Sequence, residues 1–282
     1  MPHANPAADC HAHVFCGNSY PHSPDALYTP DVSQAGTAVK FLDVLDAHGF
    51  THGLLVGAGV YGADNRCLVS ACAASGGRFK GIALVRPDVS DQALASMDGE
   101  GIVGVRINIM NHGLAPLVEP GAQTLLARLK EMKWFVQIQV TGDQLVDALP
   151  LLSKAGVRLM VDHIGRPDIK RGVSQPGFQT LLELGRSGNA VVKLSGPFRS
   201  SEEGYPYRDV DPFVEAAIAA FTLDNCIWGS DWPFVRMDER MDYGLALVPL
   251  ARWLPDLESR RKVLWTNPRR LFGFEEALVI RA

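Results

Sequence analysis

The 282-residue sequence predicts an α/β chain folded as a single (β/α)8 barrel spanning residues 1–282. Three observations predict it. Eight short apolar runs recur along the chain, several of them β-branched and apolar on both faces, as buried parallel strands are. Helix-length segments with 3.6-residue spacing lie between most of these runs. Polar residues also fall at the ends of runs far apart in sequence, and a barrel gathers such ends on one rim, at the C-terminal ends of its strands. An open doubly wound sheet is the competing architecture, but no G-x-G-x-x-G follows the first run.

The strand runs are Ala8–Phe15, Gly53–Gly57, Gly81–Val85, Gly104–Asn108, Phe135–Val140, Arg158–Asp162, Ala190–Leu194 and Cys226–Trp228. Apolar residues at helical spacing mark Val39–His48, Gln123–Met132, Asp143–Lys154, Phe178–Arg186 and Pro212–Phe221. Gly49, Gly156 and Gly188 follow apolar helical stretches, where a glycine can take the left-handed conformation that ends a helix. The longest irregular stretches, Gly17–Ala38 and Pro197–Asp211, are expected to be rim loops able to cover a substrate.

Composition excludes several classes of function. Apolar residues make up 47% and charged residues 21%, which supports a packed core and argues against disorder. A net charge of -4 without a basic block argues against nucleic-acid binding. No run reaches the roughly 18 apolar residues of a membrane span. The first residues lack the basic and apolar regions of a signal peptide, so a cytoplasmic location is expected. Five cysteines, odd in number and without a C-x-x-C pair, are read as reduced thiols. Cys10 and Cys16 flank a histidine pair, but no adjacent base marks either as a nucleophile, so packed, inert thiols are expected.

The candidate chemistry sits at strand ends. His11 and His13 close the first run, and alternate residues of a strand point the same way, so both can face one cavity. His163 follows the sixth run and Asp231 the eighth. Asp231 lies between Trp228 and Trp232; partial desolvation there should raise its pKa and suit it to act as a base. Arg106, Arg166 and Arg199 sit at or just past strand ends, and a guanidinium fork pairs a carboxylate bidentately. Structural pairing with Asp162, Asp168 or Glu202 is the alternative role for these arginines. Tyr28, Asn65, His112 and Gln139 are further candidates for the pocket lining.

With those pieces on the first, fourth, sixth and eighth strands, the sequence resembles the amidohydrolase superfamily, in the branch containing 2-pyrone-4,6-dicarboxylate lactonase. Asp9-Cys10-His11-Ala12-His13-Val14-Phe15, Tyr28-Thr29-Pro30, Gly62-Ala63-Asp64-Asn65, the 161–168 segment, Tyr207-Arg208-Asp209-Val210, the 228–233 segment and Asn267-Pro268 carry the resemblance. It implies that Asp231 activates water, and that His11, His13 and His163 polarise a lactone carbonyl and stabilise the oxyanion. Arg106, Arg166 and Arg199 match the family's carboxylate-binding arginines. Three positions depart from the branch: His112 stands where an arginine is expected, Gln139 where a tyrosine is expected, and Gly59 where a serine is expected. The implied reaction is the opening of a small carboxylated or sulfonated lactone, in the context of aromatic catabolism, with a muconolactone, a sulfomuconolactone or a sugar-acid lactone standing beside the pyrone dicarboxylate as the substrate.

Many amidohydrolases hold zinc, and His11, His13, His163 and Asp231 would be its ligands here. The fourth strand offers Arg106, which cannot ligate, and the fifth has no histidine. The resembling branch is metal-independent, so no cofactor is expected, with Zn2+ as the alternative. A sugar-acid lactone isomerase, a zinc-dependent decarboxylase and a non-catalytic binding protein are the rival readings.

Overall fold

The computed structural model describes residues 6–31, 36–237, 239 and 241–276. Eight parallel strands follow one another around a single sheet in sequence order. They are β1 (Ala8–Ala12), β2 (His52–Val56), β3 (Phe79–Ala83), β4 (Ile102–Asn108), β5 (Phe135–Gln139), β6 (Arg158–Val161), β7 (Ala190–Ser195) and β8 (Cys226–Gly229). All eight expected strands are present, most with ends shifted by one or two residues.

The expected helices are present as well. They are α1 (Ala38–Ala47), α6 (Ala122–Glu131), α7 (Gln144–Ala155), α8 (Pro176–Arg186) and α9 (Asp211–Phe221). Thr37 caps α1 by accepting from Lys40 N at 3.2 Å. Gly156 ends α7 with φ 66°. The structure adds α2 (Arg66–Ala74), α3 (Asp91–Gly99), the short α4 (Ile109–His112) and α5 (Ala115–Val118), α10 (Tyr243–Trp253), α11 (Leu257–Arg261) and α12 (Asn267–Phe272). Alpha10 was illegible as a helix because it is apolar on nearly every side and carries Pro249 inside, which hides the period.

The barrel closes between β1 and β8. Asp231 N donates to His11 O at 2.8 Å, and His13 N donates to Trp232 O at 2.8 Å. Asp9 ties the seam from outside: Ser230 Oγ donates to it at 2.5 Å, and Tyr243 Oη of α10 donates at 3.0 Å. Burial pushes the Asp9 carboxyl up to about 6, against the pull of its hydrogen bonds from Ser230, His11 and Tyr243. Gly229 permits the close approach, since a Cβ there would lie 2.4 Å from the His11 Cβ. Ala8 and Cys10 pack in an inner apolar cluster with Leu54, Ile82, Met160 and Ile227. A register shift between Asp9 and Ala12 then turns His11 inward too. Trp265, Leu271, Phe272 and Phe274 plug this cluster.

One expectation about the cysteines is corrected. Cys16 and Cys67 form a disulfide across a sequence separation of 51. The barrel sets the segment after β1 beside α2, so residues remote in sequence meet. Spacing alone could not show this. Cys10, Cys72 and Cys226 are buried free thiols, and burial pushes Cys72 and Cys226 up to about 12. Among the described residues, no helix is long and apolar enough to cross a membrane.

Candidate active site

Three imidazoles converge on one carboxylate at the C-terminal ends of the strands. The Asp231 Oδ1 lies 3.5 Å from His13 Nε2 and 3.6 Å from His11 Nε2, and its Oδ2 lies 3.8 Å from His163 Nε2. All four side chains are nearly sealed from solvent. Backbone geometry places two of them. Asp231 has φ 64°, in the turn that follows β8. His163 begins a left-handed turn after β6, with φ 49°, 47°, 76° and 46° at His163, Ile164, Gly165 and Arg166. Each left-handed non-glycine residue costs about 1–2 kcal/mol, so the surrounding structure must hold this turn in place. Gly196 packs against it: a Cβ there would lie 2.7 Å from His163 Nδ1.

Hydrogen bonds set the tautomers of His13 and His163. His13 Nδ1 lies 2.8 Å from Val56 O, which can only accept, so neutral His13 leaves Nε2 as a lone pair. His11 Nδ1 has two partners, Lys193 Nζ at 3.2 Å and Asp162 Oδ1 at 3.3 Å: accepting from Lys193 leaves the His11 proton on Nε2, and donating to Asp162 leaves Nε2 as a lone pair facing Asp231. Ser195 Oγ lies 2.8 Å from His163 Nδ1, and donation from that hydroxyl makes His163 Nε2 a donor toward the cavity.

Electrostatics correct the expected pKa of Asp231. Burial pushes its carboxyl up, as expected. Arg199 Nε donates to Oδ2 at 2.8 Å and, with His163, His13 and His11, more than offsets burial. The net direction is well below the usual carboxylate range, so Asp231 is ionised. Burial brings His163 down to about 4 and, with the Lys193 charge, takes His11 well below its ordinary value, so both rings are neutral near pH 7.

A polar layer beneath the site escaped the sequence reading. Lys193 on β7 is fully buried, donating to Gln137 Oε1 at 2.7 Å and lying 3.4 Å from Asp162 Oδ1. Gln137 Nε2 donates to Asp162 Oδ2 at 2.9 Å, and Arg106 Nε donates to the same oxygen at 3.1 Å. Burial raises the Asp162 carboxyl, yet Lys193, His11 and Arg106 hold it well below its ordinary value. The signal was present as a charge inside an apolar strand, Val191-Val192-Lys193-Leu194-Ser195, with Gln137 and Gln139 in the same alternation on β5. Such a charge survives burial only when paired.

Above the layer opens a cavity of about 310 Å³. His13, His163 and Asp231 line it, as do Arg106, Arg166, Arg199, Tyr28, His112 and Gln139. His11 lies beneath. Asn65 does not line this cavity: its amide donates to Leu84 O at 2.7 Å and accepts from Leu84 N at 2.9 Å, anchoring the start of α2 to the end of β3. The arginines differ in their partners. Arg106 is paired with Asp162 and Arg199 with Asp231. Arg166 has no carboxylate partner among the described residues, and its buried Nε lacks any hydrogen-bond partner. Burial, together with the neighbouring Arg199, pulls Arg166 down from its ordinary value.

The spacing of His11, His13 and Asp231 suits a divalent ion, since tetrahedral zinc ligands stand roughly 3.4 Å apart. His13 offers a lone pair at Nε2, Asp231 offers Oδ1, and His11 would offer Nε2 in the tautomer that donates from Nδ1 to Asp162. Arg199 holds the other Asp231 oxygen, Oδ2.

A barrel whose strand ends carry a buried carboxylate among imidazoles and arginines is a barrel of the hydrolase class. The family model described as amidohydrolase matches residues 8–274. The chain is 32% identical to the 2-pyrone-4,6-dicarboxylate hydrolase of Comamonas testosteroni, covering 96% of this chain and 91% of that one. It is 33% identical to the 4-sulfomuconolactone hydrolase of Hydrogenophaga intermedia, covering 94% of this chain and 88% of the relative. A crystal structure of a probable 2-pyrone-4,6-dicarboxylic acid hydrolase from Acinetobacter baumannii, with citric acid bound, matches with a TM-score of 0.86 at 31% identity. That match covers 95% of this chain and 99% of the other. The chain belongs to the amidohydrolase family.

Proposed function

We propose that the protein hydrolyses a small anionic lactone by an Asp231-activated water, without a metal. The carrying observation is Arg166, a half-buried guanidinium lining the catalytic cavity, with an unpartnered Nε and no carboxylate partner among the described residues. A substrate carboxylate satisfies it. Relatives named for 2-pyrone-4,6-dicarboxylate and 4-sulfomuconolactone, and a structural match holding citric acid, support the same substrate class. His112 and Gln139 line the cavity where the family branch has arginine and tyrosine, which supports a lactone other than the pyrone dicarboxylate.

The substrate anion docks on Arg166. A second contact to Arg199 draws that guanidinium from Asp231 and removes the strongest charge holding the base down. Asp231 then takes a proton from water as the water oxygen attacks the ring carbonyl. The His163 Nε2 proton stabilises the tetrahedral oxyanion. Collapse breaks the bond to the ring oxygen, and Asp231 returns its proton to that leaving oxygen. Hydroxy acid is the product, released as its carboxylate near neutral pH.

A pH-indicator screen of muconolactones, sulfomuconolactone, pyrone dicarboxylate and aldonolactones, with and without chelator, tests the reading. Acid release from an anionic lactone is expected, unaffected by chelator and reduced about 10²–10⁴-fold in a folded Asp231→Asn variant. Full turnover by Asp231→Asn would remove Asp231 as the base. Chelator-sensitive activity restored by zinc would move the chemistry to a metal held by His11, His13, His163 and Asp231. Retention of the lactone carbonyl band in the product would mark an isomerase, and carbon dioxide release a decarboxylase.

A further inference from the structure

A second lobe opens beside the catalytic cavity, with a volume of about 370 Å³. It shares Gly59, Arg86, Arg106, Asn108 and His112 with that cavity, so the two are continuous. Their chemistry differs. The catalytic chamber is rich in arginine, whereas the lobe, lined by Glu119 besides the shared Arg86, Arg106 and His112, has an apolar floor. Val105 and Ile107 of β4 and Leu125 of α6 form that floor and are buried, and half-buried Val85 and Pro116 wall it. At the junction Gly59 leaves the passage open, since a Cβ there meets no atom within 4 Å. A small dianion would occupy the first chamber alone and leave the half-buried walls of the second, Val85 and Pro116, wet. Covering that surface with hydrocarbon is favourable.

We propose that the substrate is an amphipathic lactone, with its carboxylate in the arginine chamber and an apolar alkyl or aryl arm in the lobe between β4 and α6. This rests on the lactonase reading for the ring, and on the continuity of the two chambers for the arm. Each methylene buried there tightens binding by up to about fourfold.

Two measurements test it together. The first is calorimetric binding of succinate, butylsuccinate and phenylsuccinate, which need no turnover. The second is hydrolysis of carboxylated γ-lactones carrying hydrogen, butyl or phenyl on the ring. The arm-bearing diacids are expected to bind at least tenfold more tightly than succinate, and the arm-bearing lactones to show a similar gain in kcat/KM, mostly through KM. Val85→Trp and, from the opposite wall, Pro116→Trp should each erase the gain while leaving succinate affinity unchanged. Equal or weaker binding of the arm-bearing diacids, or a gain that survives both variants, overturns the proposal. If the diacids show the preference but no lactone is hydrolysed, the lobe stands and the lactonase reading falls.

Discussion

Replacing Lys193 by methionine tests the buried polar layer most sharply. Methionine has similar length, so it fills the space while removing three N–H donors. Gln137 Oε1, bonded at 2.7 Å, and His11 Nδ1, at 3.2 Å, lose their donor. Each buried acceptor left unmet costs about 1–3 kcal/mol. Asp162 keeps Arg106 at 3.1 Å and a hydrogen bond from Gln137 at 2.9 Å, so its charge is not abandoned. With His11 Nδ1 turned to Asp162, Gln137 Oε1 alone is left unmet, and the expected loss is about 1–3 kcal/mol. A domain of ordinary stability, about 5–15 kcal/mol, survives it in weakened form. The catalytic consequence follows from the tautomer. Without Lys193, the His11 proton sits on Nδ1, which lies 3.3 Å from Asp162 Oδ1. Its Nε2 is then a lone pair facing Asp231, so His11 no longer helps hold that carboxylate down and the acid limb of the kcat profile moves up in pH. The same lone pair completes a zinc-ready set with His13 and Asp231. Urea unfolding, steady-state kinetics and metal content after dialysis against zinc measure all three effects. Stability within about 1 kcal/mol of the parent, an unmoved acid limb of kcat and no gain of zinc would refute the reasoning.

Three further outcomes are expected. Arg166→Met should raise KM about 10–150-fold with a smaller effect on kcat, because one charged hydrogen-bonding partner of the substrate is lost, while the melting temperature holds or rises as a half-buried guanidinium with an unpartnered Nε disappears; an unchanged KM would remove Arg166 from substrate binding. His52 is 1% exposed between the rings of Trp265 and Phe274, and burial with the nearby Arg78 charge brings it to about 4. Its unfolded value is near 6.5, so the unfolded chain takes the proton first: His52 stabilises the fold above about pH 6.5, and that contribution is lost as the pH falls toward 4, with about 2 kcal/mol gone by pH 5. Denaturant midpoints at pH 7 and pH 5 should therefore draw closer in His52→Phe than in the parent, and an equal spread would exclude this histidine as the source. Cys67→Ser should lower stability by about 4 kcal/mol, the loop-closure value for the 51-residue separation, and reductant should do the same to the parent but not to the variant; thermal melts with and without reductant decide it.

The strands were legible because each is a local statement: a β-branched apolar run bounded by glycine or polar residues reports its own state. His11, His13, His163 and Asp231 were legible for the same reason, as polar residues closing such runs. Contacts between distant units were not. Lys193 looked like an ordinary strand residue until the barrel set it 3.2 Å from a histidine 182 positions away. Asn65 looked like a pocket residue, yet α2 needed its amide for the backbone of Leu84. Cys16 and Cys67 carried no sign of pairing, because only the adjacency of the segment after β1 and the start of α2 joins them.

The sequence by itself determined the alternation of strands and helices, the strand ends that carry chemistry and the family. Periodicity and residue type are properties of a few neighbouring positions. Tertiary structure alone decided the protonation of those groups. Burial raises the Asp231 carboxyl, and Arg199 with three imidazoles reverses the shift; only the folded barrel fixes both the burial and the 2.8 Å contact. The partners of His11 Nδ1, Lys193 at 3.2 Å and Asp162 at 3.3 Å, are likewise a matter of inter-strand distance that no local pattern encodes.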